Sequence, residues 1–216
     1  MENLKITFKM KTPVALGYPW IFFDGLIAHL LMKEELGEGY YRLSSKIPSE
    51  LVADIIDSSM PIKKWKDLFV ASVSVFDGDL QCVFNYYKRG DFPFPKGKIR
   101  RGSGFFKDFN LKNVYIPARS VVFYVSGEAG EICKLLKKIV ALGKDRNIGF
   151  GFVREVAVEE TEEECGLVNS GICMRPIPIK YLATYEDSAY IAYKPPYWSK
   201  ENVELCSVPF TRCKMK

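Results

Sequence analysis

Histidine is almost missing from this chain: His29 is the only one among 216 residues. One copy excludes a histidine-rich metal site and makes any Ser-His-Asp chemistry depend on a single side chain. Long apolar runs are missing too, since nothing approaches the ~18 consecutive apolar residues of a membrane span. The opening MENLKITFKMK carries no apolar signal core, so the sequence predicts a cytoplasmic protein, neither secreted nor membrane-bound. The third absence is a C-x-x-C pair. The six cysteines are Cys82, Cys133, Cys165, Cys173, Cys206 and Cys213. Cys165/Cys173 and Cys206/Cys213 are spaced more widely than zinc-knuckle ligands. Buried or idle thiols are the preferred reading, with a four-thiolate zinc site near the C-terminus as the alternative. No metal or cofactor is expected.

What is present is ordinary globular material, 48% hydrophobic and 26% charged, suited to one domain with additions. The formal charge of +5 is unevenly spread. Residues 86–112 hold eight basic and two acidic side chains, a net +6, and the rest of the chain nets −1. A cationic segment on a near-neutral scaffold points to a polyanion or an acidic surface.

Periodicity outlines the elements. Leu4, Ile6, Phe8 and Met10 alternate with Lys5, Thr7 and Lys9, a strand with one solvated face. An apolar helical pattern follows from Phe22 to Leu31 and stops near Gly37 and Gly39; a short helix is expected at 49–57 with Ser49 as N-cap. Runs 70–76 and 80–87 meet at Asp77-Gly78, a hairpin signal. Residues 119–126 read as a strand buried on both faces. Glu128 to Leu142 read as a helix with the stripe Ile132, Leu135, Leu136, Ile139 and Val140. The loop GKDRNIGFG then leads into a strand from Phe152 to Val158. The order is that of a ferredoxin-like (RRM-like) βαββαβ unit in an α+β chain. That domain spans 1–158 with a basic insertion at about 86–118, and 159–216 form a C-terminal extension packed on it.

Three groups of residues could carry chemistry. In the basic window, Lys88, Arg89, Lys96, Lys98, Arg100, Arg101 and Lys107 suit phosphates. Tyr86, Tyr87, Phe105, Phe106 and Phe109 offer faces for unpaired bases. Gly90, Gly97, Gly102, Gly104, Pro93 and Pro95 mark a long excursion between two strands. In the second group, Lys144, Arg146, Gly149 and Gly151 suit a backbone that approaches phosphate closely; Walker spacing is absent, so this is not a P-loop. The third is His29, placed at the edge of the first helix's apolar stripe. It is either a packing residue or a general base whose partner is not visible in the neighbouring sequence.

The stretches KITFKMKTPVALGYP (5–19), GSGFFKDFN (102–110), LGKDRNIGFGFV (142–153), MRPIP (174–178) and KPPYW (194–198) together resemble the RAMP superfamily of CRISPR proteins. They are most similar to the small RAMP subunit of type IV effector complexes. The resemblance implies a ferredoxin-like fold, a β-hairpin thumb and a glycine-rich loop. It implies a non-catalytic subunit that holds the 5′ handle of the guide RNA (crRNA) and meets the backbone and large subunits, with target DNA near the handle as an open question. The basic window would be the thumb. Lys144, Arg146, Gly149 and Gly151 would face the RNA or a neighbouring subunit. The alternatives are a metal-independent endoribonuclease using His29 and a stand-alone nucleic-acid-binding module.

Overall fold

The computed structural model describes residues 1–42, 49–78, 80–88, 102–104 and 107–216. In chain order the elements are β1 (Glu2–Met10), β2 (Val14–Leu16), α1 (Phe23–Leu36), α2 (Ser49–Ser59), β3 (Lys64–Trp65), β4 (Leu68–Phe69), β5 (Val75–Phe76), β6 (Cys82–Lys88), β7 (Phe109–Ile116), β8 (Ser120–Gly127), α3 (Ala129–Leu136) and β9 (Val153–Glu160). The C-terminal part adds β10 (Val168–Asn169), β11 (Ile172–Cys173), β12 (Ile177–Pro178), β13 (Leu182–Tyr185), β14 (Ser188–Ala192), β15 (Val203–Ser207) and β16 (Cys213–Met215). The protein is thus mixed α and β, with antiparallel pairing and few helices.

The main sheet runs β5-β8-β1-β9, each neighbour antiparallel. The alternation of β1 is realised: Leu4, Ile6, Phe8 and Met10 are buried and join Phe23 and Ile27 of α1 and Ile132 and Leu135 of α3 in one core. Its other face is solvated and self-neutralised, with Lys5 3.5 Å from Glu159 and Lys9 2.9 Å from Glu155. β8 alternates rather than being buried on both faces: Val121, Phe123 and Val125 are buried, and Val122 and Tyr124 only half so, because helices cover one side of the sheet.

Two other expectations give way to tertiary pairing. Asp77-Gly78 does not close a hairpin between the runs it joins. β5 pairs with β8, whereas β6 pairs with β7 and belongs to a separate sheet, β2-β7-β6. Asp77 instead accepts the amides of Arg119 and Ser120 at 2.9 and 3.0 Å, tying the corner between the two sheets to the start of β8. The helix expected from Glu128 ends at Leu136, short of Leu142. Beyond it the chain turns extended: Leu142 N donates to Gly151 O at 2.8 Å and Val153 N to Val140 O at 3.0 Å. Val140, counted in the helical stripe, is therefore 70% exposed.

The C-terminal segment has its own apolar cluster, in which Leu167, Cys173, Ile177, Ile191, Tyr193 and Cys206 pack with Leu68 and Val70. It is anchored to the main core by Arg175, which is fully buried. The guanidinium donates to the carbonyls of Phe69, Ala71 and Tyr193, to Asp24 Oδ2 at 3.0 Å and to Tyr197 Oη at 3.1 Å. Burial pushes its pKa down, but Asp24 and Tyr197 outweigh that and hold it above the ordinary value. Tyr197 stacks on Phe22 with ring centroids 3.8 Å apart. A Cβ on Gly25 of α1 would come within 3.0 Å of that tyrosine ring, so a glycine is what lets the KPPYW segment lie against the helix.

Candidate nucleic-acid interface

The hairpin formed by β6 and β7 is held over seven register pairs, from Cys82↔Tyr115 to Lys88↔Phe109. Residues 89–108 lie between the two strands of this arm in sequence, and of these the described residues are 102–104, 107 and 108. Directly opposed residues share a face. One face carries Cys82, Phe84, Tyr86 and Lys88 with Tyr115, Asn113, Leu111 and Phe109. The other carries Val83, Asn85 and Tyr87 with Val114, Lys112 and Asn110. Apolar surface is left open on both: Tyr87 is 77% and Leu111 57% exposed. A ribbon open on both faces has little burial of its own to hold it.

The segment after α3 docks against the base of that arm. Phe150 places its ring 5.9 Å from Phe84 and 5.5 Å from Tyr115. Lys144 Nζ donates to Asn113 Oδ1 at 2.5 Å, and Lys144 N donates to Ala15 O at 2.9 Å. The Tyr86 phenol is pushed up by burial and then by the charge of Asp145. Gly151, at φ +71°, is buried, and a Cβ there would collide with the Leu142 carbonyl oxygen. Its amide donates to Pro13 O at 2.7 Å. Its absent side chain is needed by the fold itself, and Gly149 lies half-buried at the end of the short Arg146–Ile148 turn.

Of the residues singled out in the sequence, Lys88 lies at the end of β6, Lys107 and Arg146 are exposed, and Lys144 is half-buried against the arm. Arg89, Lys96, Lys98, Arg100, Arg101, Phe105 and Phe106, with Gly90, Gly97, Pro93 and Pro95, lie outside the described residues. His29 is half-buried and has a partner that its neighbourhood on the helix does not reveal. Its Nδ1 lies 2.5 Å from Tyr40 Oη, with the rings edge-on. Burial, then Arg146 and Lys33, lower its pKa, so the imidazole is neutral near pH 7 and can accept a hydrogen bond. The loop thus faces two places at once: Lys144 and Phe150 meet the arm, and Arg146 lines the same cavity as His29.

Among the described residues no group of three or more His, Cys, Asp or Glu side chains is placed to hold a metal ion, and Cys173 and Cys213 are hydrogen-bonded to each other. Cys173 Sγ donates to Arg175 O, and Cys206 Sγ lies 3.7 Å from Ile191 O. Sequence reasoning missed Asn113, Phe150 and Tyr40 as partners of the site. Only Phe150 left a trace, as an aromatic residue between two glycines. It also missed the Arg175–Asp24 pair, for which two lone charges 151 positions apart give no signal.

Among the described residues no helix is long and apolar enough to cross a membrane. A comparison with curated proteins returns no match. The profile of the family described as CRISPR type IV associated protein Csf3 matches residues 75–209, more than half of the chain. The match takes in β5, the arm, β8, the docking loop, β9 and most of the C-terminal segment. With its arm, loop and Arg175 anchor all inside the matched region, the chain belongs to the Csf3 family of type IV CRISPR-associated proteins.

Proposed function

We propose that this protein is a non-catalytic guide-RNA-binding subunit of a type IV CRISPR ribonucleoprotein, acting in the cytoplasm. It caps the 5′ handle of the guide and meets the adjacent backbone subunit and the large subunit. The observation that carries this is the β6–β7 pairing: the two strands that flank the cationic stretch in sequence form one arm, and Lys144 and Phe150 dock at its base. Lys88, Arg89, Lys96, Lys98, Arg100, Arg101 and Lys107 would take phosphates, and Phe105 and Phe106 would stack on bases. Lys144, Arg146, Gly149 and Gly151 would form the floor on which the strand rests. The open face of the main sheet is a poor competitor, because its lysines are already paired with Glu155 and Glu159.

The fold supporting this reading is ferredoxin-like. Taking β1, β5, β8 and β9 as the four strands of a split βαβ pair, their spatial order is second, third, first, fourth, with α1 and α3 as the crossovers. The arm is the insertion at about 86–118, and the C-terminal segment belongs to the same domain through Arg175. Guide sequence would be read by base pairing with the target and not by this chain.

Guide-RNA affinity measured over a salt series tests the arm. For Arg100→Glu with Arg101→Glu, the slope of log affinity against log salt should become shallower by about 0.7 per lost contact, ~1.4 for both. Unchanged affinity and slope would remove the arm from RNA binding.

A further inference from the structure

Between β2 and α1 the chain reads Gly17-Tyr18-Pro19-Trp20-Ile21-Phe22, with an aromatic residue at every second position. Residues two apart on an extended stretch share a face, and the three rings do meet. Tyr18 lies 5.4 Å from Trp20 and 6.2 Å from Phe22, and Trp20 and Phe22 are 6.2 Å apart between ring centroids. These are ordinary aromatic-pair distances, and they close a triangle. Tyr197 backs it, stacked on Phe22 at 3.8 Å, with its hydroxyl donating to Asp24 Oδ1 at 2.7 Å and accepting from Arg175. Trp20 and Phe22 are half-buried, whereas Tyr18 is 48% exposed. Its ring is therefore fixed from below by other rings and open to solvent over much of its surface, which makes it preorganised for a flat partner.

The same segment runs along the base of the arm. Leu16 of β2 pairs with Val114 of β7, and a Cβ on Gly17 would stand 3.4 Å from Cδ of Lys144. The ammonium of Lys144 has three N–H groups and commits one to Asn113 Oδ1. Its side chain is 41% exposed, and Asp145 Oδ2, 3.9 Å away, accepts no hydrogen bond among the described residues. Donors of this lysine thus remain for an incoming anion. A fixed aromatic ring, one residue along the chain from the contact with that lysine, matches the two halves of a nucleotide: the base stacks and the phosphate meets the ammonium. An acidic peptide would use the lysine and leave the ring unused. A purely apolar partner would cover the ring and strip water from the ammonium without replacing it.

We propose that Tyr18 is a stacking platform for one unpaired base of single-stranded RNA, with an adjoining phosphate at Lys144. The platform stands at the foot of the arm, outside both the basic window and the loop after α3. That the RNA is the guide rests on the guide-binding reading; that a base stacks on Tyr18 does not.

Affinity of the full chain for a mixed-sequence single-stranded RNA dodecamer, and for a sugar–phosphate dodecamer without bases, separates stacking from charge. Tyr18→Ala should weaken the base-bearing strand by roughly 5- to 150-fold, the range of one base–aromatic stack, and leave the abasic strand unchanged. Tyr18→Phe keeps the ring and should bind as the wild type does. The salt slope should stay the same in both variants, because no phosphate contact is lost. Tyr190→Ala, at an exposed tyrosine of β14, should alter neither affinity. Unchanged affinity of Tyr18→Ala for the base-bearing strand, an equal loss on both strands, or a loss in Tyr18→Phe as large as in Tyr18→Ala would overturn the platform. So would a Tyr18→Ala chain that binds RNA normally but no longer joins the other subunits, which would assign the ring to a protein contact. The arm is tested by the salt slope of Arg100→Glu with Arg101→Glu and the platform by dependence on bases, so either can fail while the other stands.

Discussion

Arg175→Ala is the substitution on which the packing argument can be tested most directly. The guanidinium is fully buried and donates five hydrogen bonds, three of them to backbone carbonyls. Its counter-ion Asp24 is equally enclosed, with its side chain 1% exposed. Truncation removes the cation and leaves a carboxylate in the core whose remaining partners are Tyr197 and the Gly25 amide. Breaking a buried pair by removing one member costs about 3–5 kcal/mol. For a chain of this length each kcal/mol corresponds to roughly 2–4 °C, so Tm should fall by about 6–20 °C. Thermal and urea unfolding of the wild type, Arg175→Ala, Asp24→Asn and the double variant form the cycle that isolates the pair. The double variant should be more stable than additivity predicts, by about 1 kcal/mol or more. A loss under ~1 kcal/mol for Arg175→Ala, or strict additivity, would refute the claim that this pair joins the C-terminal segment to α1.

Two further outcomes can be checked on the same protein. In the native state an Ellman titration should modify at most Cys82, Cys133 and Cys165, with Cys173, Cys206 and Cys213 reacting only after unfolding. All three are buried, and burial, then Glu204 and Cys173, push Cys206 up to about 12; six fast thiols would contradict this. For His29, burial, Arg146 and Lys33 depress the folded-state pKa, so the folded protein binds fewer protons than the unfolded chain below pH ~6.5. Stability fully present above that pH is lost as pH falls through the depressed value. Urea unfolding of His29→Gln should therefore show a weaker decline between about pH 6.5 and 5 than the wild type; parallel curves would show that the ring does not titrate differently on folding.

Much of the framework is legible in the order of residues alone. β1 and α1 follow from side-chain periods of two and 3.6, because one face of each must be dry. Gly37, at φ +53°, ends α1 where a glycine stop is expected. Local signals mislead where they compete with a distant partner. Asp77-Gly78 is a strong turn pair, yet β8 captures β5, and the Asp77 carboxylate binds the amides of Arg119 and Ser120. The stripe from Ile132 to Val140 has helical spacing throughout. The last positions nevertheless pair with residues 151–153, since Gly151 lets the backbone come close.

By itself the sequence determined that the charge is local: composition and order alone put a net +6 into residues 86–112. It also determined that His29 stands alone as the histidine of the chain. Only the tertiary structure decided what surrounds them. Register between β6 and β7 pairs the strands that flank that window in sequence, the fold of 143–151 brings Phe150 and Lys144 to the arm's base and Arg146 to the cavity that His29 lines, and the turn after α1 brings Tyr40 to His29. Charge and periodicity are properties of neighbours along the chain. Partnership across 11 to 151 positions is set by how the whole core closes, and no local pattern encodes it.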